Sequence, residues 1–128
     1  MGKVKVLLVD DERDILVLIG RRIKDWGYDL VLAMDGKEAL QVVKYEKPDI
    51  IVLDYRLPNA NGVKVLKEIR RVDRRVSVIM FTAFPDKRSI KGSEKLGVQS
   101  YIPKMSMITS PAKSLKTALE IAGKKVKK

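Results

Sequence analysis

Apolar and polar positions follow two periods along the chain, and each change of period marks a new element. Continuous apolar runs predict strands at residues 4–9, 28–33, 49–53, 76–81 and 98–102. Between and after them, apolar residues recur every three or four positions and predict helices that begin near Glu12, Asp35, Gly62, Pro85 and Ser110. Five strand–helix units predict an α/β fold, a doubly wound (βα)5 five-stranded parallel sheet with right-handed crossovers.

Local signals refine this arrangement. The second strand is less uniformly apolar than the others, so we expect it at an edge of the sheet. Asp35 followed by Glu38 three residues later predicts a capping box, Ser110–Pro111 predicts the start of the last helix, and Gly123 should end that helix. The fourth helix contains Gly92 and few apolar residues, which predicts a weakly anchored element.

Length and composition restrict the class of protein. The 128 residues predict one domain over 1–123 followed by a basic tail at 124–128. The chain has no cysteine and no histidine, which excludes thiol chemistry, the usual general base and the usual zinc ligand. No apolar run approaches the roughly 18 residues of a membrane span, and the first one is short and ends in acids. We therefore reject a signal peptide and expect a cytoplasmic protein without membrane insertion.

Positive charge is concentrated in the second half of the chain. The net charge is +11, but residues 1–62 hold 10 Lys/Arg against 11 Asp/Glu, whereas residues 63–128 hold 17 against 5. The predicted third and fourth helices carry many of these cations, namely Lys64, Lys67, Arg70, Arg71, Arg74, Arg75, Lys87, Arg88, Lys91 and Lys95. A solvated face is the commonest explanation, and a docking surface for an acidic protein comes next. Nucleic acid comes third: the chain has no recognition motif and little aromatic content, so DNA binding by this domain is not expected, and non-specific phosphate binding stays open.

Polar side chains follow the predicted strands at the points where they end. Asp10 and Asp11 follow the first strand, Asp54 the third, Thr82 the fourth and Lys104 the fifth. The carboxyl ends of parallel strands meet at one edge of the sheet, where α/β folds hold their ligands. Capping acids and one ion pair would explain each residue singly, but they explain the set poorly.

This set of residues permits a narrow chemistry. Clustered carboxylates repel one another unless a hard cation neutralises them, and oxygen ligands suit Mg²⁺. A carboxylate beside Mg²⁺ can attack phosphorus to form an aspartyl phosphate. Phosphoryl transfer then needs mainly positioning and charge neutralisation, which Lys104 and the Thr82 hydroxyl can supply.

The chain resembles the receiver domain of two-component response regulators, of the chemotaxis-regulator type, over essentially its full length. The matching motifs are the pair Asp10–Asp11, Asp54 in L-D-Y-R-L-P-N-A-N-G, Thr82–Ala83, and Lys104 after Tyr101-Ile102-Pro103. The resemblance implies a flavodoxin-like strand order, 2-1-3-4-5. It also implies that Asp54 is the phosphoacceptor and takes its phosphoryl group from a phosphohistidine. The donor would be a sensor histidine kinase or a histidine phosphotransfer protein.

The same resemblance implies roles for the other residues. Asp11, Asp54 and the backbone carbonyl of Arg56 would bind Mg²⁺ directly, with Asp10 acting mostly through water. Lys104 would contact the phosphoryl group, while Thr82 and Tyr101 would switch the surface of helix four, strand five and helix five for a downstream protein target. The chain would be a phosphoacceptor that assists its own phosphorylation and dephosphorylation, not an enzyme in the usual sense.

Three positions qualify this resemblance. Met105 stands where the family usually has a proline after a cis peptide bond. Because a cis bond before a non-proline residue costs roughly 2.5–4 kcal/mol, we expect a trans bond between Lys104 and Met105. Arg56 and Phe84 occupy positions that tune the lifetime of the phosphoryl group in this family, and both are large. They either obstruct the hydrolytic water and slow dephosphorylation, or point to solvent.

Other classes fit less well. A haloacid-dehalogenase-type phosphatase needs a second acid two residues after its nucleophile, and that position is Arg56. A flavodoxin needs a hydroxyl-rich phosphate loop after the first strand, where Asp10, Asp11 and Glu12 would repel a phosphate. The alternative that remains is a receiver-like docking module that uses its basic face without phosphorylation.

Overall fold

Five parallel strands form one twisted sheet at the centre of the molecule. The computed structural model describes residues 2–58, 60–83, 87–104 and 113–126. The strands are β1 (Lys5–Val9), β2 (Asp29–Ala33), β3 (Ile50–Leu53), β4 (Ser77–Thr82) and β5 (Ser100–Pro103). Their order, β2-β1-β3-β4-β5, confirms the predicted topology and places β2 at an edge.

Helices cover both faces of the sheet. They are α1 (Arg13–Asp25), α2 (Gly36–Glu46), α3 (Gly62–Val72), α4 (Lys87–Lys95) and α5 (Lys113–Lys124). One core joins apolar residues of α1 and α5 to one side of the sheet, and a second core joins α2 and α3 to the other side. Residues alternate between these cores along β1, where Val6 and Leu8 face one core and Leu7 and Val9 face the other. This is why the strands read as continuous apolar runs.

Most predicted element boundaries agree with the structure within two residues. The Asp35 side chain caps α2, since its Oδ1 accepts a hydrogen bond of 2.7 Å from the Glu38 amide. Gly123 does not end the last helix as predicted, because α5 continues through it to Lys124. A glycine stops a helix where the chain turns left-handed, and Gly123 has no positive φ, unlike Gly27 at +98°. The predicted starts of the fourth and last helices, at 85–86 and 110–111, lie outside the described residues.

Polar contacts contribute to the anchoring of α4. Its buried residues are Ser89 and Ser93, and the Ser93 hydroxyl donates a hydrogen bond of 2.7 Å to the Ser89 carbonyl. Arg70, predicted to lie largely outward with the solvated cations, is half-buried instead. Its guanidinium donates hydrogen bonds to the carbonyls of Leu96 and Val76, at 2.8 and 2.6 Å. Arg70 therefore fastens the end of α4 to α3 and to the start of β4.

Each helix within the described ranges falls short of the length and apolarity that a membrane-crossing segment requires.

Candidate functional site

Four of the residues predicted for the site meet at the carboxyl edge of the sheet. Asp10 follows β1, Asp54 follows β3, Thr82 ends β4 and Lys104 follows β5. The parallel register aligns these strand ends, because Val9 pairs with Leu53 and Thr82 pairs with Pro103. All four are buried, with exposures of 0% for Asp10, 4% for Asp54, 0% for Thr82 and 8% for Lys104. Polar groups at this depth need partners.

Lys104 is the centre of this cluster. Its Nζ lies 2.7 Å from Oδ2 of Asp10, 3.2 Å from Oδ2 of Asp54 and 3.3 Å from Oε1 of Glu12. Its backbone amide donates a hydrogen bond of 2.6 Å to the carbonyl of Thr82, which fixes the start of the loop after β5. One ammonium group therefore faces three carboxylates, so the described site retains excess negative charge.

Glu12 is a member of the cluster that the sequence reasoning missed. Its carboxylate is mostly exposed but contacts Lys104, 92 positions along the chain. Its backbone amide donates a hydrogen bond of 2.9 Å to Oδ1 of Asp10, which orients that carboxylate. The run of three acids at 10–12 was the available signal, but only the first two were assigned to the site.

The geometry of the acids fits a hard divalent cation. Single carboxylate oxygens of Asp10, Asp11, Glu12 and Asp54 all lie within 4.8 Å of one another. Oδ2 of Asp10 is buried and lies 2.7 Å from the Lys104 ammonium. Asp11 and Glu12 are exposed, so a hydrated ion can enter from solvent. Mg²⁺ prefers oxygen ligands of this kind and keeps several of its waters.

Burial changes the ionisation of the central groups. It raises the pKa of Asp54 from 3.8 to about 6, with the charge of Lys104 opposing this shift and the charge of Asp10 adding to it. Burial also raises the pKa of Asp10, against the hydrogen bond from Lys104. For Lys104, burial alone would lower the pKa, but the hydrogen bond with Asp10 and the charge of Asp54 together raise it. The carboxylates are therefore less acidic than ordinary aspartates, and the lysine stays charged.

A tight loop carries the chain from Asp54 to α3. The Arg56 amide points to Oδ1 of Asp54 at 3.4 Å, while the Arg56 side chain is exposed. Short strands Arg56–Leu57 and Ala60–Asn61 pair antiparallel, and Asn61 caps α3. A Cβ on Gly62 would lie 2.6 Å from the carbonyl oxygen of Asp54, so this position accepts only glycine without a backbone shift. The glycine of the L-D-Y-R-L-P-N-A-N-G motif thus positions the acid.

Tyr101 lies outside the buried cluster. It is half-buried on β5, and its hydroxyl lies 2.6 Å from the Ser89 hydroxyl of α4, in a hydrogen bond whose donor is either group. The tyrosine therefore links the strand that precedes Lys104 to the weakly apolar α4. Phe84 and Met105, and with Met105 the predicted trans bond, lie outside the described residues.

A family model described as the response regulator receiver domain matches residues 6–120. Sporulation initiation phosphotransferase F of Bacillus subtilis (strain 168) is 33% identical over 104 residues, which cover 81% of this chain and 84% of that protein. The alkaline phosphatase synthesis transcriptional regulatory protein PhoP of the same organism is 38% identical over 100 residues, or 78% of this chain. This chain spans only 42% of the length of PhoP.

Solved structures agree with the sequence matches. The receiver domain of a putative Luxo repressor protein from Vibrio parahaemolyticus has a TM-score of 0.85 and 30% identity, covering 96% of this chain and 92% of that one. A CheY-like receiver domain from Methanospirillum hungatei JF-1 has a TM-score of 0.86 at 22% identity, covering 98% and 100% of the two chains, and supports the fold. The Mn(2+)-bound form of response regulator Rcp1 has a TM-score of 0.81 at 25% identity, covering 98% of each chain.

Proposed function

Because the chain belongs to the family of response regulator receiver domains of two-component systems, we propose that Asp54 accepts a phosphoryl group from the phosphohistidine of a sensor histidine kinase or histidine phosphotransfer protein. The observation that carries this proposal is the buried cluster of Asp10, Asp54, Thr82 and Lys104 at one edge of the sheet. A receiver domain is a phosphoacceptor, and Asp54 is the acid of this cluster that follows the central strand.

The transfer follows from the chemistry of these groups. A carboxylate oxygen of Asp54 attacks phosphorus as the bond from phosphorus to the histidine nitrogen breaks, and the leaving imidazole keeps that electron pair. The product is an acyl phosphate on Asp54. The Nζ atom of Lys104 lies 3.2 Å from Oδ2 of Asp54 before transfer. After transfer this ammonium group contacts a phosphoryl oxygen instead of the carboxylate. The Thr82 hydroxyl, buried at the end of β4, is placed to donate to a second phosphoryl oxygen.

The acids at the rim hold Mg²⁺ in this proposal. Asp11 and Asp54 would bind the ion, with the Arg56 carbonyl, and Asp10 would act mostly through water. Support comes from the carboxylate oxygens of the four acids, which lie within 4.8 Å of one another. Rcp1, a solved regulator of the same fold, has a Mn(2+)-bound form. When bound, the ion neutralises negative charge that builds up during transfer.

Phosphorylation then changes the surface made by α4, β5 and α5. Thr82 moves toward the phosphoryl group, and Tyr101 changes rotamer in step. In this structure the Tyr101 hydroxyl is bonded to Ser89, so a rotamer change breaks a contact with α4 and alters the surface offered to a downstream protein. The basic residues of α4 make an acidic partner the best complement.

The first test is phosphorylation by a small donor. The protein is incubated with acetyl phosphate and Mg²⁺, and its intact mass is measured beside Asp54→Asn and the control Asp25→Asn, an exposed acid at the end of α1. We expect the mass of one phosphoryl group on the wild type and on Asp25→Asn, and none on Asp54→Asn. Equal labelling of Asp54→Asn would disprove the assignment. If none of the three proteins gains a phosphoryl group and Mg²⁺ does not bind, the result would favour a docking module that uses the basic face without phosphorylation.

A further inference from the structure

A basic cleft lies at the edge of the sheet opposite to the acidic site. It forms where β4 begins at Ser77 and where the turn through Gly97 leads toward β5, and its volume is about 680 Å³. Five cationic residues line it: Arg70, Arg74, Arg75, Lys95 and Lys125. No carboxylate is among the described residues that line it. We call this feature the basic cleft.

Arg70 forms the fixed wall of the basic cleft. Its guanidinium hydrogen-bonds to backbone carbonyls on both sides, at 2.6 Å to Val76 and at 3.2 Å to Gly97. Burial lowers its pKa, against the charge of Asp73, but an arginine in this setting keeps its charge. Arg70 therefore contributes charge and holds the two walls together, but its donors are already engaged.

The other four cations are available to a ligand. Arg74, Arg75, Lys95 and Lys125 are exposed, and within the described ranges none of them forms an ion pair. The nearby acid is Asp73, and its carboxylate accepts hydrogen bonds from the backbone amides of Arg75 and Val76, at 2.8 and 3.0 Å. That carboxylate serves the turn, and within the described ranges it forms no ion pair with the four exposed cations.

A second cleft on the surface carries charges of both signs. The cleft between α2 and α3 is lined by Lys37 and Lys64, but also by Asp35 and Glu68. The basic cleft differs because the charged residues described in its lining are all cations. Repulsion among these cations destabilises the fold unless an anion binds between them.

We propose that the basic cleft binds an oligophosphate, meaning two or more linked phosphate groups carried by a small molecule. Its volume lies within the range of small-ligand pockets, roughly 300–1,000 Å³. Paired guanidinium and ammonium groups are the side chains that bind phosphate oxygens best. No aromatic residue lines the described cleft, so it offers no stacking platform for single-stranded nucleic acid. A compact anion also fits a concave site better than a rod-shaped duplex does.

This site is separate from phosphorylation of Asp54. The two sites lie at opposite ends of β4, since Ser77 opens the strand at the basic cleft and Thr82 closes it at the acidic site. A ligand in the cleft would join the two turns that Arg70 already connects, one before β4 and one after α4. Its binding is measured without Mg²⁺ or phosphodonor, so failure here and failure of the proposed function are distinguishable.

The test compares two variants that lose the same charge from the same parts of the chain. Arg74→Ala/Lys95→Ala removes two cations from the basic cleft, and Arg71→Ala/Lys91→Ala removes two exposed cations that do not line it. Binding of inorganic tripolyphosphate is measured by calorimetry in Mg²⁺-free buffer at low and moderate salt. Amide chemical shifts locate the site on the wild-type protein.

We expect about tenfold weaker binding in the cleft variant and less than about twofold change in the control, because close contacts exceed diffuse charge attraction. Amide shifts should cluster around Gly97 and Ser77 in the wild type. Tighter binding of adenosine triphosphate than of tripolyphosphate would identify a nucleotide as the ligand, and equal binding would identify the phosphate chain alone. Equal weakening in both variants, no binding at low salt, or tighter binding of a short DNA duplex would overturn the proposal.

Discussion

Asp54→Asn should stabilise the metal-free protein at neutral and alkaline pH. The Asp54 carboxylate is 4% exposed and its pKa is raised to about 6 by burial, opposed by the charge of Lys104. Ionising it in the folded protein therefore costs free energy that the unfolded chain does not pay. Asparagine keeps the size of the side chain and removes the charge. Lys104 is not left alone, because Asp10 and Glu12 remain 2.7 and 3.3 Å away.

The size of the effect follows from the two pKa values. A shift from 3.8 to about 6 corresponds to a cost of about 3 kcal/mol once both states are ionised. The site opens to solvent beside Asp11 and Glu12, and screening there reduces the expected gain to about 1–3 kcal/mol. Because the folded-state pKa is the higher one, the cost is absent below the unfolded value and complete above the folded value. The gain in stability of Asp54→Asn should therefore grow from about pH 4 to about pH 7 and then stay constant.

Thermal and urea unfolding in the presence of a chelator measure this gain. For a chain of this length, 1 kcal/mol shifts Tm by roughly 4 °C. The control is Asp25→Asn, which removes an exposed carboxylate at the end of α1 and should change stability by less than about 0.5 kcal/mol at any pH. Saturating Mg²⁺ should reverse the order of wild type and Asp54→Asn, because only the wild type keeps the full set of ligands.

A different outcome would refute the reasoning. Lower stability of Asp54→Asn than of wild type at pH 8 without metal would mean that the ion pair with Lys104 outweighs the cost of burial. An equal gain at pH 4 and pH 8 would remove ionisation of Asp54 as the cause.

Three further substitutions, two of them paired with a control variant, test other parts of the structure. Gly62→Ala should destabilise the fold by about 1–3 kcal/mol in urea unfolding, because the added Cβ would lie 2.6 Å from a backbone oxygen. Its control, Gly123→Ala, should stabilise the fold by up to about 1 kcal/mol, because the added Cβ meets nothing within 4 Å. Equal changes in the free energy of unfolding for Gly62→Ala and Gly123→Ala would contradict this explanation. Arg70→Ala should cost about 2–3 kcal/mol by leaving several carbonyls without their donor, while Arg71→Ala, which removes an exposed side chain, should cost less than about 0.5. Amide hydrogen exchange should rise in α4 for Arg70→Ala alone. Tyr101→Phe should cost about 1 kcal/mol by removing the hydrogen bond to the α4 serine, and an unchanged unfolding midpoint would count against that bond.

The periodicity of the chain is sufficient to predict the elements and much of the site. Strands buried on both faces read as continuous apolar runs, as in Ile50–Leu53, and helices repeat every three or four residues. The cap at Asp35 is also visible, because its partner Glu38 lies three residues away. Asp10, Asp54, Thr82 and Lys104 could be grouped because parallel strands end at one edge of a sheet. These inferences need only local patterns and one topological rule.

The remaining features depend on contacts between residues that are distant in the chain. Arg70 reads as one more cation on a basic helix, but it bonds to a carbonyl 26 positions away and so holds α4 in place. Glu12 joins the site only because β5 brings Lys104 to it, and the buried Ser89 of α4 is hydrogen-bonded to Tyr101 of β5. Single positions carry no signal of such partners. Packing therefore decides which cations are hydrogen-bonded, which ones are exposed in a cleft and which acid is hard to ionise. The reason is that burial and distance set the electrostatic energy of a charge.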